Sequence, residues 1–276
     1  MKKRIHLSAH LSLILLMALA AVAPAAAQTC QGLTCTIVGT SGADNLTGTS
    51  GSDVICGLGG NDIIHAQGGT VDRICGGAGA DQLYGEGGTD LIDGEDGADL
   101  IDGGSGSDYA VFQVSITADL STGGTSDGDS LVSIENLTGS NFPDTLIGDS
   151  GNNNLVGGGG NDILTGKGGA DVLEGRNGTD TATYDAVITA SLTTGSASDG
   201  DSLIAIENLT GSTGNDVLEG DGNNNVLIGG SGIDSLDGKG GTDTCDAGPP
   251  FSHFPDTDDP DTCTAACETA TGCTVF

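Results

Sequence analysis

The sequence predicts an all-β fold, a parallel β-roll (β-solenoid) of Gly/Asp nonapeptide repeats. Three observations predict it. Fifty of the 276 residues are glycine, the glycines recur with a period of nine, and an aspartate and an aliphatic residue keep fixed places within that period. A nonapeptide has room for one short strand and one turn, so it can bury an apolar face only by stacking on its neighbours.

From Gly39 the chain reads GTSGADNLT, GTSGSDVIC and GLGGNDIIH, then a ten-residue unit, AQGGTVDRIC, then four regular units from Gly76. A second block of five units begins at Gly139 and a third of four at Gly211. Together they make seventeen units over 39–111, 139–183 and 211–246. Position six is Asp in fourteen of them: Asp44, Asp53, Asp62, Asp81, Asp90, Asp99, Asp108, Asp144, Asp162, Asp171, Asp180, Asp216, Asp234 and Asp243. In the ten-residue unit the aspartate is displaced by one place, to Asp72, and Asn153 and Asn225 stand in the other two units. Position eight is apolar in nearly every unit, from Leu46 and Ile55 to Leu227 and Leu236.

Positions seven to nine suit a three-residue strand with the position-eight side chain inward and its neighbours outward. Positions one to six must reverse the chain, and glycine supplies the left-handed dihedrals for that. Two units complete a circuit, so unit i lies over unit i+2 at a spacing of about 4.8 Å. Position-six carboxylates of alternate units are then equally close, and like charges repel at that range unless a counter-ion joins them. A hard cation with six to eight oxygen ligands resolves the conflict. Flexible turns offering backbone carbonyls suit calcium better than the strict octahedron of magnesium.

The pattern G-G-x-G-x-D-x-U-x carried by these units resembles the repeats-in-toxin (haemolysin-type) calcium-binding family. The resemblance implies a right-handed parallel β-roll, and seventeen units give it eight to nine repeat turns, near 40 Å long at about 4.8 Å per turn, plus the segments between the blocks. It also implies several calcium ions held between stacked turns by the position-six aspartates, Asp72 included, and by backbone carbonyls. Asp72, the two Asn positions, and Asp144 beside Phe142-Pro143 are expected to be weak or missing sites.

The segments 112–138 and 184–210, between the blocks, are copies of each other at an offset of 72 residues. Their alternation (Ile116, Ala118, Leu120, then Leu131, Ile134, Leu137) reads as strands flanking a Gly/Asp turn. They are expected to be wider rungs that continue the stack, with ligand binding by Asp127, Asp129 and Glu135 as the alternative.

Residues 1–27 read as a cleavable signal peptide: Lys2, Lys3 and Arg4, an apolar run from Leu11 to Val22, and a small-residue site at Ala25-Ala26-Ala27. The run is too short to span a bilayer, and no other stretch could do so. Residues 28–276 carry four basic side chains against 39 acidic ones, a balance of −35. That argues against nucleic acid or an anionic membrane surface as the main partner. Secreted, periplasmic and envelope-bound destinations all remain open.

Eight cysteines in an exported chain favour disulfides. Cys30, Cys35, Cys56 and Cys75 lie near one end, Cys245, Cys263, Cys267 and Cys273 near the other. They suggest an N-terminal cap over 28–38 and a Cys/Pro-rich tail over 247–276. Cys56 and Cys75 both stand at position nine of units two apart, so a bridge between them is expected. Pairing of either with Cys30 or Cys35 is the competing arrangement.

No enzyme is expected. His6 and His10 lie in the leader, and neither His65 nor His253 has a nucleophile nearby. No H-E-x-x-H occurs. The resemblance brings protease, lipase or epimerase domains ahead of such repeats in related proteins, and no such domain is recognisable here. An extracellular structural or surface-associated role is the first expectation. An adhesin or polysaccharide-binding module, meeting cell-surface or matrix polysaccharide, is one alternative; an accessory module or enzyme acting on extracellular polysaccharide is another.

Overall fold

A computed structural model describes residues 28–248, 262–263 and 269–271 of the chain. The expected signal peptide and most of the tail lie outside the described residues. Among the described residues all regular structure is strand.

Successive units fall alternately on two sheets. Asn45–Thr47 pairs in parallel with Ile63–His65, and that with Gln82–Tyr84. Val54–Gly59 pairs with Arg73–Ala78, and that with Leu91–Asp96, on the other sheet. Two units thus make one turn, as the period requires. Among the described residues each sheet holds fourteen strands. The position-eight side chains form the interior: Ile55, Ile64, Ile74, Leu83, Ile92 and Ile101 are fully buried, and the column continues to Leu236 and Cys245. A core fed by one aliphatic residue from each strand has little area to bury per turn, so the turns must contribute to cohesion as well.

The linking segments continue the stack, as expected, but as a meander rather than a wider rung. Thr117–Asp119, Gly124–Thr125 and Ser130–Val132 form an antiparallel meander within one sheet, while Asn136–Thr138 continues the other in parallel. The chain reverses because the Gly123 N–H donates to the Asp119 carbonyl at 2.8 Å, with Gly123 left-handed at φ 69°. The apolar alternation read from the sequence does face the core: Ile116, Ala118, Leu131, Ile134 and Leu137 are buried. The second copy, Thr189–Ser191, Ser196–Ala197 and Ser202–Ile204, repeats the meander in the opposite sheet. Five units, an odd number, separate the copies, so the second meets the roll on its other side. In the tail, Thr262–Cys263 adds to one sheet beside Ser235–Asp237, and Thr269–Thr271 adds to the other beside Thr244–Asp246.

The cysteine pairing is also corrected. Cys56 and Cys75 are register partners on adjacent strands, as the two-unit turn demands, yet they are not bonded to each other. Cys30 bonds Cys75 and Cys35 bonds Cys56. Strands Thr29–Cys30 and Leu33–Thr34 form a small antiparallel hairpin, and Cys30, Cys56 and Cys75 make a buried cluster separate from the core. Position nine points outward, as expected, but the hairpin covers that outward face and supplies one partner to each stacked cysteine. The pairing with the N-terminal cap therefore holds without disturbing the stack.

Candidate metal centre

The position-six residues form continuous rows through backbone-to-carboxylate hydrogen bonds. The Asp44 N–H donates to Asp62 Oδ1, Asp62 to Asp81, and Asp81 to Asp99, each at 2.7–2.8 Å. On the other side Asp53 donates to Asp72, Asp72 to Asp90, and Asp90 to Asp108 at 2.7–2.8 Å. Asp72 is not displaced in space: the extra residue of its unit is taken up in the turn, and Asp72 is fully buried in line with the rest. The middle block repeats the rows as Asp144, Asp162 and Asp180, and as Asn153 and Asp171. The last block gives Asp216 with Asp234, and Asn225 with Asp243.

The second oxygen divides the rows into two kinds of turn. At Asp62, Asp72, Asp81, Asp90, Asp99, Asp108, Asp162, Asp171 and Asp180, Oδ2 is buried and no hydrogen-bond donor reaches it. At Asp44, Asp53, Asp144 and Asp216 the same oxygen accepts the backbone N–H and the hydroxyl of the residue four places earlier: Thr40, Thr49, Ser140 and Ser212 respectively, at 2.6–3.1 Å. Asn153 and Asn225 are satisfied similarly. Each accepts an N–H, from Asp149 or Asp221, and donates its amide to the Glu135 or Glu207 carbonyl at 2.8 Å. These six are the first two units of each block.

Position two is the switch. In the first two units of each block it is Thr, Ser or Asp, folded into a side-chain-capped turn. In the later units it is left-handed whatever the residue: Leu58 (φ 78°), Gln67 (74°), Glu86 (66°), Glu95 (65°), Lys167 (73°) and Arg176 (73°), beside glycines such as Gly77 and Gly104. Left-handed backbone at a residue with a Cβ costs about 1–2 kcal/mol each, and repeated strain of this kind collects at binding sites. The position-one glycines are required for a different reason. A Cβ on Gly85 would stand 2.7 Å from both Asp90 Oδ2 and the Gly103 carbonyl oxygen. Two oxygens, one anionic, face one space with no donor between them. Such a set fits a hard cation that takes carboxylate and carbonyl ligands.

Four row members carried no signal in the repeat. Asp99 donates to Asp129 and Asp108 to Glu135, in the first linking segment; Asp171 donates to Asp201 and Asp180 to Glu207, in the second. Each of these acids directly precedes a strand, as a position-six residue does. Asp127, by contrast, lies in the meander's loop, where its carboxylate accepts the Thr125 hydroxyl. With Asp93, Glu95, Asp96 and Asp129 it lines an acidic cavity of about 210 Å³ at the junction. At the matching place in the second copy Lys167 pairs with Asp185.

Burial raises the carboxyl pKa values along the rows, and neighbouring carboxylates add to the shift. Asp90 and Asp162 rise to about 6 and Asp99 to about 7. In the linking segments Asp129 rises to about 6 and Asp201 to about 7. Raised folded-state values mean that the folded chain binds protons more tightly than the unfolded one. Without a metal, their contribution to stability is present below the ordinary carboxylate range and is lost as pH rises through 6–7. Calcium-free protein is therefore expected to gain β signal in circular dichroism when pH falls from 7.5 to 5. A flat or falling signal over that window would contradict this assignment.

His65 stacks on Tyr84 with ring centroids 4.7 Å apart and pairs with Glu86 at 2.9 Å at the surface of the roll. Among the described residues no helix is long and apolar enough to cross a membrane.

A search of curated proteins returned no match. The family described as the RTX calcium-binding nonapeptide repeat (4 copies) matches residues 36–70, 72–110, 138–173, 147–182, 205–236 and 219–249. Those spans cover more than half of the chain and contain all fifteen aspartates singled out by the repeat. With the periodic stack and its rows of buried carboxylates, they establish that the chain belongs to the RTX calcium-binding nonapeptide repeat family.

Proposed function

We propose that this is an exported protein that binds several calcium ions between its stacked turns, folds on binding them, and then serves as a stiff structural or surface-associated rod. The observation that carries the reading is the run of buried Oδ2 atoms without donors, each beside left-handed backbone at position two. Asp62, Asp72, Asp81, Asp90, Asp99, Asp108, Asp162, Asp171 and Asp180 would hold the ions together with position-one carbonyls. The ion supplies the positive charge that the chain's own four basic residues outside the leader cannot. Export by the N-terminal leader fits the disulfides, which persist in oxidising compartments. No catalytic role is proposed.

Isothermal titration of the purified protein tests the reading. Calcium is expected to bind at several sites per chain with dissociation constants on the order of 10⁻⁴–10⁻³ M, as in extracellular calcium modules. Magnesium at the same concentrations is expected to give little heat. A chain that binds no calcium, or binds magnesium equally, would overturn it.

A further inference from the structure

Within the turn that closes each linking segment, the chain departs from the nonapeptide. Three residues, Ser133-Ile134-Glu135, join Ser130–Val132 on one sheet to Asn136–Thr138 on the other, where a repeat unit uses six. The second copy does the same with Ala205-Ile206-Glu207 between Ser202–Ile204 and Asn208–Thr210. Ile134 and Ile206 are buried against the core, which anchors each turn. Ser133 and Ala205 are left-handed, at φ 50° and 49°, like the position-two residues of the later repeat units.

Beneath each turn lies a carboxylate oxygen with no donor. Asp108 and Asp180 are wholly buried and their Oδ2 atoms are unpartnered. A Cβ built on Gly103 would collide with the Ser133 carbonyl oxygen and stand 2.8 Å from Asp108 Oδ2; one built on Gly175 would collide with the Ala205 carbonyl oxygen and with Asp180 Oδ2. Glu135 and Glu207 each accept the N–H of the aspartate below through Oε2, at 2.9 and 2.7 Å. A shorter turn leaves the backbone further from the row, and the extra methylene of glutamate makes up the reach.

We propose that each linking segment completes a terminal cation site for the row beneath it: Asp108, the Ser133 carbonyl and Glu135 form one, and Asp180, the Ala205 carbonyl and Glu207 form the other. This rests on the reading that the rows bind calcium. It extends the rows to residues outside the nonapeptide pattern and gives the linking segments a binding role.

Calcium stoichiometry, measured by native mass spectrometry on the whole protein, tests it with E135Q/E207Q and D90N. Glutamine keeps an oxygen to accept the N–H below and removes the charge. The double variant is expected to reach the wild-type circular dichroism at saturating calcium and to carry two ions fewer; D90N is also expected to lose calcium. Full stoichiometry in E135Q/E207Q with loss in D90N would overturn the terminal sites alone. No loss in either would overturn the row reading as well. If the double variant fails to fold, the single variants E135Q and E207Q are measured instead, each expected to lose one ion.

Discussion

Chelation of calcium is expected to abolish most of the β signal of this protein, and readdition is expected to restore it in one cooperative step. The interior is thin, mostly one Ile or Leu side chain from each strand of the two facing sheets, so hydrophobic burial per turn is small. Against it stand nine buried carboxylate oxygens without donors among the described residues and a net charge of −35 over residues 28–276. Stacked carboxylates repel across the rows, and the ion pairs of Lys167, Arg176 and Lys239 lie at the surface, where they do not neutralise them. Binding that occurs only in the folded state adds directly to folding stability. Because the Asp of one turn bonds to that of the next, each occupied turn orders its neighbour, which makes the transition cooperative. Circular dichroism across a calcium titration measures this. A calcium-free protein with full β signal and protease resistance would end the argument.

Replacement of an interior row aspartate should separate sharply from replacement at a row start. Asp99 has a donorless Oδ2 and a left-handed Glu95 at position two of its unit. D99N should raise the calcium midpoint roughly threefold to tenfold, or about 0.7–1.4 kcal/mol. Asp216 already receives the Ser212 N–H and hydroxyl at 2.6 and 3.0 Å. The chain itself uses asparagine at two such starts, Asn153 and Asn225, where the amide donates to a carbonyl. D216N should therefore leave the midpoint within about 0.5 kcal/mol of wild type, as for a surface substitution away from strained features. Equal shifts for D99N and D216N would show that the capped and uncapped turns do not differ in metal binding. Asp144 belongs with Asp216, and for the same cause. Its weakness as a site was expected from Phe142-Pro143, but Ser140 is the residue that occupies its oxygen.

The regular part of this fold could be read without coordinates because two periods coincide in it. The nine-residue repeat sets which side chains meet, and the two-residue alternation of a strand sets which face inward. Ile92 and Asp90 were legible for that reason, as was the stacking of Cys56 on Cys75. The partners of those cysteines were not, since the hairpin that brings Cys30 and Cys35 over them has no period. Position two escaped for another reason. Glycine-rich turns suggested that glycine alone takes the left-handed conformation, whereas Leu58, Lys167 and Arg176 take it too. The capping role of Thr40, Ser140 and Ser212 is a local hydrogen bond, invisible to a pattern that asks only for glycine. Glu135 and Glu207 lay outside the repeat, and their place in the rows depends on how a three-residue turn folds.

The two antiparallel meanders sit on opposite sides of the roll, and that is a matter of parity. Each adds two strands to one wall only, so a single meander leaves the walls unequal. With five nonapeptides between them the second restores the balance, and among the described residues the walls end with equal numbers of strands. A middle block of four or six units would load all four added strands onto one wall, while three or seven would keep them shared. The length of this roll can therefore change by whole turns without upsetting that balance, but not by a single repeat.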